Sequence, residues 1–320
     1  MGAGHDHEGH HDHDHSQHSH ERAHDRRRLV LTLLLTAGIL VAEVIGGLWS
    51  HSLALLSDAG HMLSDVAAQA LSLIALAIAT RPADARRTYG YYRIEILAAL
   101  GNGVALLVLA VWIFWSGYHR LRSGGPPIDL PVMTVVAGIG LGANLFGAYL
   151  LHSAQSLNVR GAYLHLLSDT LSSVVVMLGG LVMYFGGRWY ALDPLLSMAI
   201  GLFITYSAFR LVRDAVDVLL EAVPLDVDLY GVNSALGRIQ GVRQVHDLHV
   251  WTITSGMRAL SAHLVVDRAS LPATDRLLSD VKLLLEREFR ITHSTIQIES
   301  GGYEVQGQTC ADCMPLGTRG

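Results

Sequence analysis

The sequence predicts an α-helical membrane protein, with six transmembrane helices followed by a cytosolic α+β domain of order α-β-β-α-β. Three observations carry that expectation. Hydrophobic residues make up 51% of the 320-residue chain and charged residues only 16%, the balance of a polytopic membrane protein rather than a soluble one. Apolar runs of about 20 residues, the length that crosses a bilayer, recur between Leu29 and Val212. After Glu221 the texture changes to short amphipathic and β-rich segments. The net charge of -5 averages a membrane part with aqueous parts; the local placement of Arg is more informative, and no nucleic-acid partner is expected.

Residues 1–28, "GHDHEGHHDHDHSQHSHERAHDRRR" after the first three, hold nine of the 18 histidines: His5, His7, His10, His11, His13, His15, His18, His20 and His24. The segment has no apolar core and reads as disordered. Interleaving with Asp, Gly and Ser separates it from an uninterrupted affinity tag, the competing reading, and favours a metal-buffering segment whose imidazoles bind weakly and exchange quickly.

The six spans are read at 29–50, 53–79, 94–118, 130–152, 162–185 and 192–212, giving a membrane domain over 29–213. Their breaks fall at turn-rich stretches such as "SGGPPIDLP" and "GGRW", because Gly and Pro do not easily continue a helix. The first hydrophobic stretch is too long for a cleavable signal peptide and lacks a small-residue cleavage site. With the amino terminus in the cytoplasm, that side receives Arg22, Arg26, Arg27, Arg28, Arg81, Arg86, Arg87, Arg93, Arg160, Arg210 and Arg213, and the far side Arg120, Arg122 and Arg188. That asymmetry places both ends in the cytoplasm, since Lys and Arg stay inside.

Residues 214–300 read as the α+β domain. "DVDLYGVNSALGRIQ" has helical spacing, "VRQVHDLHVWTIT" and "RALSAHLVVD" are strands joined by "SGM", "ATDRLLSDVKLLLEREF" is an amphipathic helix and "HSTIQIE" a last strand. Residues 301–320 form a loose tail carrying the only two cysteines, Cys310 and Cys313, so no disulfide framework supports the fold.

The chemistry starts from a repeated pattern. "HMLSD" at His61 and "HLLSD" at His165 each place an imidazole and a carboxylate one helical turn apart, inside otherwise apolar spans. An Asp at the centre of a span costs roughly 2.5–3.5 kcal/mol on an insertion scale. A single such residue could snorkel or bond a neighbouring helix; two matched pairs instead provide partners for each other. His61, Asp65, His165 and Asp169 offer two nitrogens and two carboxylate oxygens, a four-donor set for tetrahedral Zn²⁺ whose double charge the two carboxylates balance. Glu43 and Asn144 are open between helix contact, water lining and transport.

"SLALLSDAGHMLSD", "NVRGAYLHLLSD", the Asp193-Pro194 pair, "VHDLHVWTI" and "HSTIQIE" together resemble the cation diffusion facilitator family, over nearly the whole chain from about residue 29 to 300, and most of all its bacterial zinc exporters. The resemblance implies a homodimer in the bacterial inner membrane, six spans per protomer, a cytosolic metallochaperone-like domain that senses metal and dimerises, and exchange of a cytosolic divalent metal for protons. It puts the transport site at His61, Asp65, His165 and Asp169, with His at the first position going with zinc. It also puts regulatory zinc ligands at His246, His263, His293 and Glu299, and matches Cys310 and Cys313 to a C-x-x-C that some members carry. A redox pair is the competing reading of those cysteines, weakened by the lack of a βαβ context. His249 is read as structural, because strand alternation sends it and His246 to opposite faces. Two departures are visible: "TRPADARRTYGYYR" contains no His or Cys for a loop metal site, and Leu277 stands where some members have a further His.

The expected function is therefore secondary active export of Zn²⁺, with Cd²⁺ or Co²⁺ as further substrates, and Zn²⁺ also a regulatory ligand. A membrane-bound zinc sensor or metalloenzyme is the rival reading, against which stands a shell closed by four protein donors with no open position for water. A channel is a further rival, opposed by tight tetrahedral coordination.

Overall fold

The computed structural model describes residues 12–79, 84–152, 157–186, 189–267 and 274–300. Side chains at 12–30 and at several positions inside the second and fifth helices, His165 among them, lie outside the described residues. The elements run α1 (Asp12–Ser50), α2 (Leu53–Ala79), α3 (Arg93–Ser123), α4 (Leu130–Leu151), α5 (Leu157–Phe185), α6 (Leu192–Leu219), α7 (Leu229–Gly237), β1 (Val242–Thr254), β2 (Met257–Val266), α8 (Thr274–Phe289) and β3 (His293–Ser300). α1 reaches back to Asp12, whereas composition predicts disorder through residue 28. Once an apolar span has nucleated a helix, each added polar residue gains a hydrogen bond at small cost.

The chain forms two compact units, Met1–Ala70 with Asn102–Phe209 and Leu71–Gly101 with Arg210–Gly320. In the first, Trp49, Val108, Trp115, Tyr149 and Phe185 stand exposed on the outer faces of their helices. Such faces are a liability in water and solvent contact in a bilayer. Among the described residues four helices are long and apolar enough to cross a membrane: Leu31–Ser50, α3, α4 and α6. α2 and α5, which carry the two H-x-x-x-D pairs, include positions outside the described residues.

Local sequence sets the breaks. Gly124, with φ +71°, follows the last residue of α3, a left-handed position that only glycine occupies without strain. Asp129 caps α4 by accepting from the Val132 N–H at 3.2 Å, and Pro131 fills the first turn, where its missing N–H costs nothing. α1 and α4 approach closely through small residues: a Cβ at Gly46 would lie 2.7 Å from Val136, and one at Gly140 would lie 2.8 Å from Glu43 Oε1.

The second unit contains the three-stranded sheet, ordered β1-β2-β3, with β1 and β2 antiparallel and β2 and β3 parallel. Gly256, φ +77°, makes the tight β1–β2 turn, and the parallel step is bridged by α8, as a parallel pair requires. Val232 and Leu236 from α7, Val281 and Leu285 from α8, and Val250, Leu260 and Leu264 from the strands form one buried core. Leu277 belongs to that core, so an apolar side chain and not a metal donor occupies this position of α8.

Candidate functional site

α2 and α5 bring His61, Asp65 and Asp169 together. On α2, Asp58, His61 and Asp65 follow at spacings of three and four and share one face; on α5, Asp169 and Ser172 do the same. Ser172 donates a hydrogen bond to Asp58 and ties the two faces to each other. His61 Nε2 lies 3.8 Å from Asp65 Oδ2 and 4.0 Å from Asp169 Oδ1, and one donor atom from each of the three lies within 4.8 Å of the others. A tetrahedral ion with bonds of about 2.0–2.2 Å holds its donors roughly 3.3–3.6 Å apart, so a small contraction closes the three around a cation. Asp169 is 3% exposed. His165 stands on α5 one turn before Asp169; its side chain lies outside the described residues.

The surroundings hold these helices in place. Asn102 on α3 donates to Ser64 at 3.1 Å, Ser57 and Ser197 join α2 to α6 at 2.6 Å, and Asn144 on α4 donates to Ser173 at 3.3 Å. The ring of Phe203 meets His61 edge-on at 5.8 Å. Asn144 is thus a helix contact. Glu43 is fully buried against Gly140, and its carboxylate has no hydrogen-bond partner among the described residues.

A second cluster lies on the sheet. His246 and His263 are directly paired across β1 and β2, and their rings meet at 5.1 Å. Glu299, on β3 two residues beyond the register partner of His263, reaches both: Oε2 is 3.0 Å from His246 Nε2 and Oε1 3.0 Å from His263 Nδ1. Partial burial pushes the Glu299 carboxyl up, but hydrogen bonds with His246 and Gln297 and the nearby imidazoles outweigh it and hold the group below the usual glutamate value. Its folded value being depressed, the ionised carboxylate contributes stability above the unfolded glutamate pKa of about 4.3, and that contribution is lost as pH falls through the folded value.

The structure does not bring His293 to this cluster. It opens β3, six residues from Glu299 and so about 20 Å along the strand, where it meets the ring of Tyr89 at 5.5 Å. The expected separation of His246 and His249 onto opposite faces is also corrected. A bulge lies between them, since His246 pairs with His263 and His249 with Ser261. Three residues on β1 therefore span two on β2, and the histidines share a face. Asp247, φ 50°, makes the bulge and lies 3.1 Å from His249 Nε2 and 3.6 Å from His263 Nε2. Sequence reasoning missed Asp247, for which a left-handed bulge gives no pattern. It also missed Asp58, which the recurrence of Ser-Asp seven residues apart on α2 could have revealed. His5, His7, His10, His11, Cys310 and Cys313 lie outside the described residues; His13, His15, His18, His20 and His24 lie on α1 with their side chains outside that set.

Residues 29–220 match the model of the cation efflux transmembrane domain, and residues 224–301 that of the cation efflux protein cytoplasmic domain. The chain belongs to the cation efflux family, the cation diffusion facilitators. It is 44% identical over 301 residues to the metal cation efflux system protein CzcD of Cupriavidus metallidurans, covering 93% of this chain and 90% of that protein. It is 38% identical over 282 residues to the zinc transporter ZitB of Escherichia coli, covering 86% and 88%. With a Bacillus subtilis protein named a cadmium, cobalt and zinc/H(+)-K(+) antiporter it shares 37% identity over 282 residues, covering 86% and 89%. This cation efflux protein is accordingly a multi-pass membrane transporter of metal cations and not an enzyme.

Proposed function

We propose that this protein exports Zn²⁺ from the cytoplasm in exchange for protons, through six spans, as a homodimer in the bacterial inner membrane with both termini cytoplasmic. The observation that carries the reading is the meeting of His61, Asp65 and Asp169 from two helices at the separations given above, with His165 one turn before Asp169 as fourth donor. Zn²⁺ displaces protons from these groups when the site faces the cytoplasm; after reorientation, protons compete for the same donors and the metal leaves. His suits this exchange because its unperturbed pKa of about 6.5 lets modest pH differences change its protonation. Rocking of helices around a fixed site suffices for alternating access. The names of the relatives, a zinc transporter and a cadmium, cobalt and zinc antiporter, support zinc with Cd²⁺ and Co²⁺ as further substrates.

The domain assignment that goes with this function is a His-rich buffering head over 1–28, a transport domain over 29–213, a metal-sensing and dimerising domain over 214–300 and a tail over 301–320. His246, His263 and Glu299 form the regulatory zinc site, and Cys310 and Cys313 add thiolate donors from the tail. Vesicles containing the purified protein test the exchange. An imposed pH gradient should accelerate zinc uptake and move protons the opposite way, in the absence of K⁺. Zinc flux indifferent to the gradient would overturn proton coupling.

The regulatory site carries its own expected result. In the full-length protein Glu299→Gln should remove one class of bound zinc seen by calorimetry and leave transport at saturating zinc in place, because the sheet lies outside the transport site. An unchanged number of zinc ions per chain would show that these three residues are an ordinary polar cluster.

A further inference from the structure

The cytosolic loop that leads into α3 forms a pocket of about 560 Å³ that the transport reading does not use. Arg86, Arg87 and Arg93 line it, with Glu221 as the only carboxylate among its lining residues. The loop is built rather than loose. The Asp84 carboxylate accepts the backbone N–H groups of Arg86 and Arg87, each at 2.8 Å, and the Tyr91 hydroxyl at 2.8 Å. Those bonds hold the Asp84 carboxyl below the usual carboxylate range, so it stays ionised. Gly90, φ +77°, completes the turn.

The charges of the loop are unequally compensated. Arg93 is paired with Glu221 at 2.6 Å. Arg87 lies 3.6 Å from Asp84, with its guanidinium carbon 4.8 Å above the Tyr91 ring. Arg86 is exposed and makes no ion pair among the described residues. A pocket with an uncompensated guanidinium and neighbouring tyrosine hydroxyls favours a phosphate, whose oxygens fit the planar fork of Arg.

Its walls distinguish a lipid phosphate from a free one. Ile94 and Leu97 line the same pocket and lie in the first turns of α3, one of the helices long and apolar enough to span a membrane. Leu97 is 54% exposed, and Tyr89 is 52% exposed. An apolar wall that continues into a spanning helix is of no use to a free anion and is suited to an acyl chain. Tyrosines and a tryptophan, here Trp251, are the residues that prefer the lipid headgroup level. Basic pockets at the cytoplasmic ends of spans bind anionic headgroups.

We propose that this pocket holds an anionic phospholipid, with its phosphate at Arg86 and an acyl chain along Leu97. The proposal depends on α3 being a membrane span and not on the identity of the transported metal. It predicts that the lipid bridges the loop and the start of α3, so that lipid composition alters the protein without touching its metal ligands.

The test is native mass spectrometry of the full-length protein in a neutral detergent, titrated with dioctanoyl phosphatidylglycerol, dioctanoyl phosphatidylcholine or inorganic phosphate. Phosphatidylglycerol should bind at one site per chain, more tightly than phosphatidylcholine. Arg86→Ala should weaken its binding by about fivefold, the effect of one cation at a membrane surface. Arg86 supports no other side chain, so this variant should melt as the original does. Leu97→Ser should weaken the lipid and leave phosphate unaffected, and phosphate in large excess should not displace the lipid. Equal lipid binding by Arg86→Ala and the original protein overturns the site, and displacement of the lipid by inorganic phosphate overturns the lipid in favour of a free anion.

Discussion

Asp169→Ala should leave no measurable zinc transport while the membrane domain stays folded. Asp169 is 3% exposed, and His61 Nε2 on α2 lies 4.0 Å from its carboxylate. A carboxylate placed at depth costs roughly 2.5–3.5 kcal/mol on the insertion scale, a cost that the substitution withdraws and that offsets the contacts it removes. The same removal deprives a dehydrated Zn²⁺ of one of two balancing charges, and an open position inside the bilayer cannot replace it. Asp65→Ala should behave alike, since Asp65 lies on the same side of His61, one turn on. Proteoliposome uptake and thermal melting of the same preparations check this together. Retained transport in either variant would remove these carboxylates from the site, whereas lost transport with a collapsed melting temperature would make them structural.

Much of this arrangement is legible in the sequence because it depends on local periodicity. The H-x-x-x-D repeat fixes which residues share a helix face, and the two helices need only face each other for His61 and Asp169 to meet. The cytosolic domain is equally local: its α-β-β-α-β order falls on α7, β1, β2, α8 and β3, because alternation, a Gly turn and an amphipathic helix each have their own period. What was not legible depends on the third dimension. One left-handed residue, Asp247, changes the parity of β1 and returns His249 to the face of His246. His293 sits in a motif with Glu299, yet strand rise separates them by about 20 Å. The loop pocket brings together residues as distant as Arg86 and Trp251, which no window along the chain can relate.

Asp193 shows the opposite behaviour to Asp169, and its substitution should destabilise the membrane domain rather than merely silence it. Asp193 is fully buried at the start of α6 and accepts the Ser52 hydroxyl at 2.6 Å and the N–H groups of Leu53 and Ala54 at 2.9 and 3.1 Å. Those are the first, otherwise unpartnered, donors of α2, while Ser52 Oγ takes the N–H of Leu55 at 3.2 Å. A negative group there also complements the positive end of the helix. Arg120, from the last turn of α3, lies 3.5 Å from the carboxylate and donates to the His51 carbonyl at 2.6 Å. One carboxylate thus joins α2, α3 and α6 at the end of the bundle. Pro194 follows it in the first turn of α6, where its fixed φ and missing N–H fit. Asp193→Ala leaves buried donors and a guanidinium without their acceptor, a loss of about 3–5 kcal/mol. That corresponds to a fall in melting temperature on the order of 10 °C. Asp193→Asn keeps one acceptor oxygen and should fall between. Melting of the detergent-solubilised protein measures this. An unchanged melting temperature with lost transport would move Asp193 from the scaffold into the ion pathway.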